Sequence, residues 1–205
     1  MKPAVVVAVT GGSGSIYAQR LVVRALEHFE RVYLTVSAHA VRVIEEELGV
    51  SIDLAHFQPE AFLPEGTDVE RVRFYHPRDF DAPFASGSAA PEAMAIVPCS
   101  MGTLGRIASG CSDDLITRAA DVMLKERRRL IVVPRETPLG LIHLRNMVTL
   151  TEAGAVVMPA APGFYHRPET VLELVDFIVF RILDHLGARD PEARRWGAGT
   201  EAVSE

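Results

Sequence analysis

Lysine is almost missing from this chain. Of its 21 basic residues only Lys2 and Lys125 are lysine, and arginine carries the rest of the positive charge. Such usage is a compositional bias, and it singles out Lys125, the one internal lysine, for attention. Cysteine is also scarce. Cys99 and Cys111 form no Cys-x-x-Cys pair, which excludes a disulfide framework and a thiolate metal cluster and favours a reduced, cytoplasmic setting. Trp196 is the single tryptophan. No apolar run approaches the roughly 20 residues that a membrane helix needs. The net charge of −6, with no basic stripe and no interleaved aromatics, excludes a nucleic-acid footprint. Seven histidines are present, but none has metal-ligand spacing, so no metal is expected. There is no internal repeat and no low-complexity segment.

What is present is an alternation. Short β-branched runs at 4–10, 31–37, 72–76, 93–100, 130–136 and 155–162 read as six strands. Helix-like segments at 16–29, 38–48, on either side of 110–112, at 139–152 and at 169–186 separate them. The opening "MKPAVVVAVTGG" reads as the first strand, since its apolar run flows into a glycine turn and lacks the small-residue cleavage site of a signal peptide. The strands are continuous apolar runs, the mark of a parallel sheet covered on both faces. The expectation is a single-domain, doubly wound α/β fold of Rossmann type over residues 1–187, with 188–205 as a C-terminal tail or docking arm. Gly187 is placed to end the last helix.

In such sheets ligands bind beyond the carboxyl ends of the strands. Those ends read Thr10-Gly11-Gly12-Ser13-Gly14, then Ser37, then Cys99-Ser100-Met101-Gly102-Thr103, then Arg135-Glu136, then Pro159 to Tyr165. The first is a glycine turn with backbone N–H groups at a helix start, a place for an anion. It matches neither the Walker A loop, nor G-x-G-x-x-G, nor the G-x-S-x-G nucleophile elbow. Ser37, Ser100 and Thr103 stand at helix starts, where capping and ligand binding are compatible roles.

"RRRLIVVPRETPLGL", residues 127–141, sets one charge of each sign between two prolines. Adjacent residues on an extended segment point to opposite sides, so Arg135 and Glu136 must each find another partner. Pro134 and Pro138 brace the segment, and Thr137 is placed to cap a helix beginning at Pro138. Lys125 ends a helix that carries Arg118 seven residues earlier, near the same face. Arg181 lies amid apolar neighbours in the last helix and requires an anion, either an intramolecular carboxylate or a ligand phosphate.

Three blocks together resemble the flavin prenyltransferase family, the UbiX proteins, from the first strand to about Gly187. They are "VTGGSG", the run from "SGSAAPEAMAIVPCSMGTLGRIASG" through "RAADVMLKERRRLIVVPRETPLGLIHLRNM", and "AGAVVMPAAPGFYHRPETVLELVDFIVFRILDHLG". The resemblance implies a flavodoxin-like fold that binds reduced FMN and transfers a dimethylallyl group from dimethylallyl monophosphate to flavin N5 and C6. The prenylated FMN would serve UbiD-type decarboxylases. By the same resemblance FMN is held by Gly11, Gly12, Ser13, Ser37, Ser100, Met101, Gly102, Thr103 and Arg135, with Arg118 at a further site position. Lys125, Tyr165 and Arg181 meet the prenyl phosphate, and Trp196 covers the prenyl chain. Glu136 acts with Ser13 as proton donor and relay, and Glu47 completes the catalytic set. The resemblance also implies a homo-oligomer, typically a dodecamer, with sites at subunit contacts. Cationic side chains suit this reaction, because a departing phosphate develops charge that Lys125 and Arg181 can take up. Gly12 stands where the family usually has alanine, and Ala89-Ala90 where a bulky residue is common. Two alternatives share the fold: a flavin-dependent cysteine-type decarboxylase, which carries Pro-Ala-Met-Asn where this chain has Pro134-Arg135-Glu136-Thr137, and a non-catalytic FMN carrier.

Overall fold

A computed structural model describes residues 2–193. Its first strand, β1 (Lys2–Val9), shows why the apolar runs are unbroken. Val5, Val7 and Val9 enter one hydrophobic cluster, while Val6 and Ala8 enter the other. Successive strand side chains point to opposite faces, and here both faces are covered.

The other strands are β2 (Phe29–Val36), β3 (Val72–Phe74), β4 (Ala93–Cys99), β5 (Arg129–Pro134) and β6 (Val156–Val157). All pairings are parallel, in the order β3-β2-β1-β4-β5-β6. The helices are α1 (Ser15–Ala25), α2 (Ala38–Leu48), the short α3 (Pro59–Phe62), α4 (Met101–Ala108), α5 (Leu115–Lys125), α6 (Leu141–Glu152) and α7 (Val171–Leu186). α1, α2 and α7 pack on one face, and α4, α5 and α6 on the other. This is the expected doubly wound α/β architecture. β1 leads outward through β2 to β3, and β4 leads the other way through β5 to β6. The topological switch point therefore lies between β1 and β4, where a ligand crevice opens in such folds.

Element ends differ from expectation in informative places. α1 stops at Ala25 because Phe29, 1% exposed, is already a core residue of β2, in register with Lys2. The edge strand β6 is only two residues long. Beyond it the N–H groups of Met158 and Ala160 still donate to Val132 and Pro134 carbonyls, so the chain stays extended past the regular ladder. Thr137 does not cap α6. The helix begins three residues later with Gly140 as N-cap, whose N–H donates to His143 Nδ1 at 3.2 Å. The last helix begins at Val171, where Thr170 Oγ1 accepts from Glu173 N at 3.2 Å.

Residues 188–193 do not leave the body at Gly187. Asp190 is 3% exposed, faces His28 Nε2 at 3.4 Å and accepts Glu192 N at 2.9 Å, and Glu192 pairs with Arg24 on α1. Arg20 of α1 also forks onto Asp176 of α7, with Nε–Oδ1 at 2.8 Å and Nη2–Oδ2 at 2.6 Å.

The long connection between β3 and β4 is pinned by Phe84, which is fully buried. Its ring stacks on Tyr33 (centroids 5.8 Å) and meets Tyr75 edge-on at 5.2 Å. Truncating a buried ring costs the transfer energy and leaves a cavity. Phe84→Ala is expected to lower unfolding free energy by about 3–5 kcal/mol, read as a shifted urea midpoint with unchanged slope.

Candidate functional site

The switch point is built first by Thr10, just past β1 and 1% exposed. Its N–H and its hydroxyl both donate to the Pro98 carbonyl, at 3.1 and 2.8 Å, and its Oγ1 accepts Ser100 N at 2.7 Å. The glycine turn follows. A Cβ at Gly11 would stand 2.9 Å from His39 Cβ, so the start of α2 passes where only glycine fits. A Cβ at Gly12 meets Pro98 Cβ at 3.4 Å, an ordinary contact, which makes glycine in place of the family's alanine a sterically small change.

The N–H groups at the start of α1 were the expected anion site. They are already occupied. Glu47, from the last turn of α2, accepts Ser15 N at 2.7 Å and Gly14 N at 3.0 Å. Burial pushes this carboxyl up. Hydrogen bonds from the Ser13 side chain and from the Ser15 and Gly14 backbone outweigh it and hold the group below the usual carboxylate range. Glu47 thus neutralises the positive end of α1 and fixes Ser13.

Two other helix starts stay open to the crevice. Ser37 caps α2, its Oγ accepting Ala40 N at 3.3 Å. Ser100 caps α4, its Oγ accepting Thr103 N at 3.3 Å and donating to Thr103 Oγ1 at 3.1 Å. Gly102 faces open space, whereas the Met101 side chain turns into the core, leaving its backbone for any contact. Gly11, Ser37, Ser100, Gly102 and Thr103 line one cleft of about 610 Å³, which falls in the range of small-molecule and cofactor pockets. Ala38, His39, Pro77, Arg78, Arg106, Asp113 and Asp114 complete its wall. The sequence reading missed these seven. Helical spacing was a usable signal for Arg106, which lies one turn after Thr103 and on its face.

Arg135 and Glu136 separate as their extended geometry requires. Arg135 Nε donates to the Ser13 carbonyl at 3.2 Å, while Glu136 Oε1 accepts Thr137 N at 3.0 Å and stays exposed. Ser13 is therefore gripped from two sides, by Glu47 and by Arg135.

The remaining expected site residues do not reach this turn within one chain. Lys125 ends α5 at the amino edge of the sheet, beside Glu126, whose carboxyl packs against Gly87. The length of β5, about 20 Å at the usual rise per residue, separates that edge from the glycine turn. Arg118 donates to the Ala85 carbonyl at 3.0 Å and to Asp121 at 2.9 Å, outside the cleft lining. Tyr165 and Arg181 share a different groove of about 380 Å³ with Arg24, Phe177 and Phe180. Arg181 Nη1 there meets Asp184 at 2.9 Å, the intramolecular carboxylate. The expected convergence at one sheet edge therefore fails inside a single chain. Trp196 lies outside the described residues.

Glu27, His28 and Asp190 bring ligand-type atoms within 4.8 Å of one another, but at the turn between α1 and β2, away from the cleft. Among the described residues no helix is long and apolar enough to cross a membrane. Burial pushes the Cys99 thiol, at the end of β4, up to about 12, so it stays protonated and inert.

The profile of the Flavoprotein family matches residues 1–183. The flavin prenyltransferase UbiX of Pseudomonas aeruginosa is 46% identical over 195 residues, covering 94% of this chain and 93% of that one. The chain belongs to the UbiX family of flavin prenyltransferases. A family structure, AnUbiX (PadA1) in complex with FMN and dimethylallyl pyrophosphate, superposes with a TM-score of 0.82 at 39% identity, covering 96% of this chain and 98% of that one. A dodecameric FMN-dependent UbiX-like decarboxylase from Escherichia coli O157:H7 superposes with a TM-score of 0.81 at 36% identity, covering 94% and 98%.

The Glu47 carboxylate carries a pH signature. Its folded value lies below its unfolded value, so its stabilisation is full above the unfolded carboxylate range and is lost as pH falls through the folded value. Glu47→Gln is expected to lower the melting temperature near neutral pH, with the gap to the unsubstituted protein closing as pH falls through the acid range. A gap constant with pH in melts from neutral to acid would contradict this.

Proposed function

We propose that this chain transfers a dimethylallyl group from dimethylallyl monophosphate to reduced FMN, at N5 and C6, and passes the prenylated FMN to a UbiD-type decarboxylase. The observation that carries the reading is the gripped Ser13. Its hydroxyl meets Glu47 and its carbonyl meets Arg135, next to Glu136, two residues along the turn from Gly11, which lines the cleft at the switch point. A 39%-identical relative with this fold holds FMN and dimethylallyl pyrophosphate. Cleft volume, two serine-capped helix starts and a glycine at which any Cβ would collide fit a flavin with an anionic end. Reduced FMN, when bound, supplies the nucleophilic ring positions.

The chain's own residues then have defined tasks. Gly11, Gly12, Ser13, Ser37, Ser100, Thr103 and Arg135, with the backbone of Met101 and Gly102, hold and orient the flavin. Glu136 supplies a proton to the leaving phosphate, with Ser13 relaying and Glu47 fixing Ser13. Lys125 and Arg181 take up the charge that develops on phosphate, as point charge and fork, and Tyr165 adds a hydroxyl. Trp196 covers the prenyl chain. These last four act at a neighbouring chain's glycine turn, since Lys125, Tyr165 and Arg181 lie away from their own.

That assignment requires a homo-oligomer, and the surface supports one. Leu141, Ile142, Leu144 and Val148 of α6 are exposed, as are Phe164, Val171 and Leu172 near the Tyr165 loop. Apolar patches of this kind mark contact surfaces. A dodecamer, as in the Escherichia coli relative, is the assembly we assign.

Anaerobic incubation with reduced FMN and dimethylallyl monophosphate should add one C5 unit to the flavin by mass spectrometry. Unchanged flavin would point to a carrier. Glu136→Gln is expected to slow transfer by about 10²–10⁴-fold with FMN affinity nearly unchanged. Equal loss of both would remove its role as proton donor. Lys125→Ala and Glu136→Gln, each impaired alone, should recover partial activity when assembled together as mixed oligomers. No recovery in verified mixed assemblies would refute a site shared between chains.

A further inference from the structure

Behind Thr103 the cleft wall contains a connected polar chain, Arg106 with Asp113 and Asp114, to which the prenyl-transfer reading gives no task. It starts at the amino end of α5. Asp114 is fixed there, its Oδ1 accepting both the N–H and the hydroxyl of Thr117 at 2.8 Å. Its Oδ2 accepts Arg106 Nη1 at 2.8 Å, and Asp113 Oδ1 accepts the same nitrogen at 2.6 Å. The other terminal nitrogen of Arg106 donates to Thr103 Oγ1 at 3.3 Å.

Thr103 is 4% exposed, and the inventory of its hydroxyl is decisive. A hydroxyl has two accepting positions and one proton. Ser100 Oγ and Arg106 fill both accepting positions. No described residue accepts the Thr103 proton, while Thr103, Ser100 and Arg106 all line the cleft. The Thr103 O–H is thus left as a donor toward whatever occupies that space, and donors feeding into its oxygen strengthen it. The starts of α2 and α4 open on the same cleft, so the complementary ligand group is anionic.

We propose that Arg106, held by Asp113 and Asp114, is a positioning residue that turns the Thr103 hydroxyl toward the phosphate of bound FMN. The proposal rests on the reading that the cleft holds FMN. Arg106 itself is matched by two carboxylates, which cancel its charge toward the ligand. Its effect is directional and acts through Thr103.

The test compares FMN with riboflavin, which lacks the phosphate, by quenching of flavin fluorescence in the full chain. Arg106→Met is expected to weaken FMN about tenfold, the scale of one hydrogen bond to a charged group, and riboflavin by no more than about twofold. Thr103→Val should show the same FMN-selective loss, and the double variant should be no weaker than Thr103→Val alone. Equal loss for both flavins, no loss, or additive single effects would overturn the proposal. Should Arg106→Met fail to fold, Asp113→Asn removes one exposed anchor. It is then expected to lower FMN affinity by about two- to threefold, as for loss of one partly solvated ion pair, and to leave riboflavin unchanged. An unchanged FMN affinity would count against the proposal. A wild-type chain with no preference for FMN over riboflavin would instead sink the flavin reading of the cleft, before any variant is compared.

Discussion

The cleft depends on how the carboxyl ends of β1 and β4 are stitched at Thr10. The regular pairing of these strands runs from Val6–Met94 to Ala8–Ile96. Past it, Thr10 gives two hydrogen bonds to the Pro98 carbonyl and takes one from Ser100 N. A valine of the same shape would leave Ser100 N without its partner and the Pro98 carbonyl with only the backbone N–H of residue 10, at a cost of about 1–3 kcal/mol for an unsatisfied buried group. From this seam one chain end turns into Gly11 and α1 and the other into Ser100 and α4. Gly11, Ser100, Gly102 and Thr103 of the cleft inherit their positions from those two departures.

Helix starts near the seam are treated in two ways. α1 is closed by Glu47, a carboxylate supplied by the chain itself. α2 and α4 are capped by short serine side chains that satisfy one N–H each and leave the rest facing the cleft. The phosphate of a flavin would therefore be drawn to the α2 and α4 starts, because Glu47 already takes the N–H donors of the α1 start. This division separates a flavin seat from a rim where Ser13 is held for chemistry.

The sheet was legible because both of its faces are buried, which turns each strand into an unbroken apolar run such as Val5–Val9. The cleft's own rim was legible for the same reason. Strand ends predict loop positions, and Ser37 and Ser100 stand at those ends as caps. Glu47 could be placed at the site only through resemblance, because its reach from α2 to the α1 start depends on how two helices pack side by side. Arg106 was readable from its place one turn past Thr103, whereas the Asp113-Asp114 pair went unread because linear spacing does not say which face of α4 the start of α5 meets. Lys125, Tyr165 and Arg181 were read as one group, yet a single chain puts Lys125 at the amino edge of the sheet and Tyr165 and Arg181 in a separate groove. Linear order carries no information about which surfaces of separate copies meet.

Charge pairing within one chain sets Arg135 apart. Arg106 is matched by Asp113 and Asp114, Arg118 by Asp121, Arg181 by Asp184, and Lys125 by Glu126. Arg135 differs. Its Nε meets a neutral carbonyl, and no described carboxylate forms an ion pair with it. Glu136, its neighbour, likewise spends its carboxylate on a backbone N–H. A half-buried guanidinium kept from the adjacent carboxyl group by extended geometry retains its full charge, and the carboxyl group is left free to act on the other side. The braced segment from Pro134 to Pro138 holds these two groups apart at close range. A transfer that needs a cation against one ligand and a proton donor against the next requires that separation to exist before either ligand arrives.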